Sequence, residues 1–128
     1  MNYLFLLFVI LGQISCAQKS AETLDGKTFQ VSSWETGKPE KQDPDVLVFA
    51  KGTFDSEGCR QYGFGPASYT TNVSKEGTNF KCTTKSPSEG EIDFEGSFAQ
   101  NQIQGKFVWR KQGQADLHYE FKGSLKTN

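Results

Sequence analysis

From residue 91 to residue 125 apolar and polar side chains alternate one for one. In EIDFEGSF, Ile92, Phe94, Gly96 and Phe98 share one parity, and Glu91, Asp93, Glu95 and Ser97 share the other. QIQGKFVWRK follows with Ile103, Gly105, Phe107 and Trp109 set against Gln104, Lys106 and Arg110. LHYEFKGSL repeats the scheme, with Leu117, Tyr119, Phe121, Gly123 and Leu125 on the apolar parity. Successive side chains of a strand point to opposite faces, so this spelling predicts three strands with one dry and one wet face. Two-faced strands of this kind belong to antiparallel sheets.

Upstream the same reading continues. Residues 24–31 predict a first strand with Phe29 and Val31 inward. Residues 46–50 and 53–56 flank Lys51 and Gly52 as a hairpin, and residues 68–73 and 78–84 form a second around residues 75–77. Parity places Tyr69, Thr71, Val73, Phe80 and Cys82 inward. Residues 32–44, with Trp34 at their start, read as a loop. So do residues 57–66 (EGCRQYGFGP), a Gly-rich stretch carrying Cys59, Tyr62 and Phe64. Helical periodicity appears nowhere after the first residues. The expectation is all-β: an eight-stranded antiparallel up-and-down meander, short-linked and closed into a barrel, which removes the sheet edges.

Residues 1–12 (MNYLFLLFVILG) are apolar, short for a membrane span and N-terminal, so residues 1–17 read as a secretory signal and 18–128 as a single barrel domain. Two processing readings compete. Ser15 and Ala17 suit cleavage before Gln18. Alternatively QISC resembles a relaxed lipobox, with the signal ending at residue 15 and Cys16 acylated. The expected location is exported: periplasmic, anchored to the outer membrane through Cys16, or extracellular.

A family resemblance can be attached to residues 24–29 (LDGKTF) ahead of eight strands. This resembles a calycin-type barrel, the lipocalin- and avidin-like architecture. The stretch 47–56 (LVFAKGTFDS), followed by Cys59 and a Gly-aromatic loop, is similar to small secreted bacterial proteins of unknown function. Gly26 is followed by Lys27, Thr28 and Phe29 rather than by the lipocalin Gly-x-Trp, so lipocalin ligand chemistry does not transfer. A weaker likeness, through Gly58, Cys59 and Cys82, runs to META-type domains.

Composition narrows the chemistry by exclusion. A net charge of −1 offers no basic footprint for nucleic acid. The single histidine, His118, falls on a wet parity, so an imidazole metal site is excluded, and no phosphate loop precedes a helix; no metal or cofactor is expected. Glu91, Asp93 and Glu95 lie on a wet face, where carboxylates are solvated rather than catalytic. Cys59 and Cys82 are the natural disulfide pair of an exported chain, although Cys82 lies about 13 Å inside its strand end at ~3.3 Å per residue. Two reduced buried thiols, or a reactive Cys59 beside Arg60, are the alternatives.

The dry-parity glycines Gly96, Gly105 and Gly123 either let strands coil or leave room inside for a ligand. The expected function is therefore a non-enzymatic envelope barrel that binds a small apolar or aromatic ligand at one mouth. Tyr62, Phe64, Tyr69, Trp109 and Tyr119 are its candidate ligand-binding residues. The alternative is a structural or protein-interaction envelope module with a filled core, presenting Arg60, Tyr62 and Phe64 to a protein partner.

Overall fold

The computed structural model describes residues 23–126, so the expectations for the signal segment and Cys16 lie outside the described residues. Eight strands follow in order: β1 (Thr28–Glu35), β2 (Asp43–Ala50), β3 (Thr53–Ser56), β4 (Ala67–Ser74), β5 (Gly77–Ser86), β6 (Gly90–Ala99), β7 (Gln102–Arg110) and β8 (Leu117–Leu125). Each pairs antiparallel with the next, and β8 closes on β1. The expected all-β closed meander is the observed fold.

Its geometry follows from the registers. A walk perpendicular to the strands from Lys27, opposite Phe49, passes Phe54, Ala67, Thr84, Ile92, Trp109 and Leu117. It returns to β1 level with Gly37. The return lies ten residues along the strand (27 to 37), a shear of ten. Eight strands at this shear tilt by roughly 40° and leave an interior that side chains fill.

Phenylalanines fill it. Phe49 is fully buried and meets Phe29, Phe54, Tyr69 and Phe80 at ring-centroid distances of 5.8, 5.3, 5.1 and 5.0 Å. Phe94 extends the cluster to Phe54 at 4.7 Å and to Phe107 at 4.9 Å. The contacts are edge-on, tilted or offset, the arrangements that ring quadrupoles favour.

The glycines belong to this packing. Gly96 faces Gly105 across β6 and β7, and Gly105 faces Phe121 on β8. A β-carbon on Gly105 would sit 2.1 Å from the Glu95 carbonyl oxygen and 2.7 Å from the Phe121 ring; one on Gly96 would sit 2.8 Å from the Phe80 ring. The space at Gly96 and Gly105 is occupied by neighbouring backbone and rings.

Several details differ from the sequence-based expectation. Residues 24–27 are not strand. Leu24, 1% exposed, plugs the end at which the chain enters, and Gly26 N–H donates to the Phe49 carbonyl at 2.7 Å. Trp34 is not in a loop but in β1, facing outward, with its indole N–H donating to Glu120 at 3.1 Å. A four-residue helix, α1 (Glu57–Arg60), follows β3. Thr71 and Val73 are exposed, Val73 by 62%. The reason is that β3 is short: it meets β4 only at Thr53–Ser68 and Phe54–Ala67, so the far half of β4 has no neighbour on that side among the described residues.

The β6–β7 turn places Gln100 and Asn101 at φ 52° and 64°, the left-handed pair of a tight hairpin turn. Replacing Gln100–Asn101 by Asn–Gly suits those angles better and should raise stability by about 0.5–1 kcal/mol in urea unfolding.

Candidate functional site

At the end opposite Leu24 the barrel is closed by α1 and residues 61–66. The lock is a carboxylate. Asp45, near the start of β2, accepts from Gly58 N–H at 2.8 Å and Val46 N–H at 2.7 Å, and its second oxygen accepts from the Ser56 hydroxyl. Ser56, the residue before α1, accepts in turn from Cys59 N–H at 3.2 Å, satisfying one of the free donors of the first turn. Gly58 allows the approach, since a β-carbon there would lie 3.0 Å from the Asp45 carboxylate. Arg60 turns back to pair with Asp55 on β3.

The loop beyond is pinned from two sides. Ser86 Oγ at the end of β5 donates to the Tyr62 carbonyl at 2.8 Å, and Phe64 inserts into the core, 4% exposed. Tyr62, between these anchors, points outward with 59% of its surface exposed. A loop pinned on both sides thus presents one exposed aromatic ring, two residues beyond Arg60.

The five expected ligand residues do not converge. Trp109 lies at this capped end, its indole N–H donating to the Glu89 carbonyl at 2.6 Å. Tyr119 stacks on Phe107 at 4.8 Å and 10°, half-buried, opposite Glu35 of β1. Burial, then the charges of Glu35 and Asp43, push its hydroxyl above the usual tyrosine pKa. Phe64 is part of the core, and Tyr62 faces away from it. Tyr69 belongs to the other end, where its hydroxyl donates to Asp25 at 2.9 Å. The Gly52 N–H and then this hydroxyl hold the Asp25 carboxyl below its ordinary range.

The expected bridge between Cys59 and Cys82 is not formed; both are free thiols. The spacing explains it. The cap touches β5 at Ser86, and Cys82 lies four residues further in, about 13 Å at ~3.3 Å per residue. Burial also pushes the Cys59 thiol upward, reinforced by Asp45 and Asp55 and opposed only by the Ser56 hydrogen bond. Arg60 is committed to Asp55, so the surroundings of Cys59 favour the protonated thiol.

Cys82, raised to about 12 chiefly by burial, and Tyr69, raised to about 12 by burial and then by Asp25, hold their protons more tightly folded than unfolded. Their contribution to stability is complete below about pH 9, the ordinary value for the thiol, and is lost as pH rises toward 12. Melting temperature should therefore stay level to about pH 9 and then fall, and Cys82→Ala should shallow the first part of that fall.

The outer wall explains the acidic row. Glu91 pairs with Lys85, Asp93 with Arg110 and Glu95 with Lys106, and no cluster of potential metal ligands occurs among the described residues. A depression of about 750 Å³ lies over Gly96 and Gly105, with Trp34, Lys106 and Glu120 along it. Comparison of the chain with family models, curated proteins and solved structures yields no match in any of the three.

Proposed function

We propose that this chain is an exported, calycin-like barrel of the bacterial cell envelope that recruits a protein partner through its capped end. The observation that carries the reading is Tyr62. It is an exposed aromatic two residues beyond the partly exposed Arg60, held on a loop fixed by Asp45, Ser86 and the buried Phe64. Tyrosine and arginine are over-represented among residues that dominate association energy, and a prepaid loop conformation lowers the entropy cost of docking. The packed phenylalanine axis supports the same reading, because it leaves recognition to the surface.

A second reading rests on one feature. The Phe107–Tyr119 stack and Trp109 are half-exposed at the same end, an aromatic wall suited to a small apolar ligand. A photo-reactive residue at position 62 of the mature protein, irradiated in cells, separates the two. The interaction reading expects one dominant cross-linked protein. Its saturable binding to the purified chain should be lost in Tyr62→Ala while melting temperature moves by less than about 0.5 kcal/mol equivalent. Absence of any such species, together with saturable quenching of Trp109 emission by an apolar probe, would shift the assignment to the small-ligand reading.

A further inference from the structure

We propose that two copies of this chain associate through the uncovered edge of β4, forming one continuous antiparallel sheet across a two-fold axis at Asn72. Tyr69 N–H reaches toward β3 and donates to the Gly52 carbonyl at 3.3 Å. In an antiparallel strand the N–H and C=O of alternate residues point to the same side. Thr71 and Val73 therefore aim their N–H and C=O away from β5, over the stretch where β3 supplies no partner. Four strong hydrogen-bonding groups face outward in a row.

The edge carries none of the devices that keep strand edges apart. Natural proteins blunt such edges with charge, proline or a bulge. Residues 67–74 (ASYTTNVS) contain no charged residue and no proline, and the β4–β5 register runs unbroken from Tyr69–Cys82 to Ser74–Gly77. Val73 and Tyr62 are the two exposed large hydrophobic residues among those described, and Val73 stands on this edge.

The geometry selects a second copy as the occupant. About Asn72, Thr71 of one copy falls opposite Val73 of the other, and both face the edge, so each such pair exchanges two backbone hydrogen bonds. A neutral edge meets its own copy without repulsion. The strand leaves the edge at the Lys75–Glu76 turn, where the β2–β3 turn of the other copy begins to cover Tyr69, so the open length on each side matches. In that register Lys75 falls opposite Tyr69, whose hydroxyl is bound to the Asp25 carboxylate. The two-fold brings this cation and this anion together twice. Thr71 and Val73, which parity assigns to the inside yet the barrel leaves wet, become covered.

Sedimentation equilibrium of the mature protein tests this. An interface this small is transient, so the weight-average mass should rise toward about twice the monomer's only at concentrations on the order of 100 μM. Val73→Pro deletes an edge-facing N–H without touching the β4–β5 ladder, and Val73→Lys adds a like charge on each side. Both should remain monomeric across the series while keeping the melting behaviour of the parent. Amide exchange at Thr71 and Val73 should slow with concentration in the parent chain. A parent that stays monomeric, or a dimer that survives both substitutions, overturns the proposal. Exchange protection at Thr71 and Val73 that is independent of concentration overturns it too, and would assign the edge to another part of the same chain such as residues 18–22.

Discussion

Phe49→Ala should lower stability by about 4 kcal/mol, the upper range for removing a buried ring. Phe49 has no solvent exposure and touches four other rings from four different strands, so no single neighbour can relax into the gap. A domain of this size holds about 5–15 kcal/mol in all, and the loss is a large share of it. In urea the midpoint should fall by about 2 M, given slopes of 1–3 kcal/mol per molar. Phe49→Leu, which keeps most of the volume, should cost less than half as much. If the alanine variant loses under 1 kcal/mol, the ring cluster is not the core described above.

The second large effect is expected from adding atoms. Gly105→Val should cost about 3 kcal/mol or more, because the new side chain meets the Glu95 carbonyl and the Gly96 backbone as well as the Phe121 ring. Rings can rotate aside, whereas paired backbones cannot separate without breaking the β6–β7 ladder. Adding Phe121→Leu to Gly105→Val should therefore recover only part of the loss. This experiment also bears on function. A lumen with room for a guest at Gly105 would accept valine with little change in chemical denaturation, and full tolerance would revive a ligand inside the barrel.

How far the sequence exposed this architecture differs by region, for physical reasons. Residues 91–125 were readable because each of their strands has neighbours on both sides and one face against the rings, so parity maps onto burial; Ile92, Phe94, Phe98, Ile103 and Phe121 are all buried. Trp34 was hidden because the inward positions around it, Ser33 and Glu35, lie near the rim and need not be apolar. Helix α1 spans a single turn, too short for periodicity, and only Ser56 ahead of it could have signalled a cap. Phe64 and Tyr62 look alike in sequence, yet one is an anchor and the other is presented. Cys59 and Cys82 pair by elimination in an exported chain; what sequence does not show is that the loop after α1 meets β5 at Ser86 and goes no deeper. Thr71 and Val73 have the spelling of inward residues, and only the length of a different strand, β3, decides that they are not.

That short strand has one more consequence. The cylinder is joined between β3 and β4 by two residue pairs, against nine between β5 and β6. Of all its seams this is the thinnest, and sheet breathing in a closed cylinder begins where the fewest ladder bonds must part together. The barrel should unzip there first, swinging the β2–β3 hairpin out as a flap hinged on β1. Protease nicks and the earliest forced-unfolding step should then fall beside Ser68.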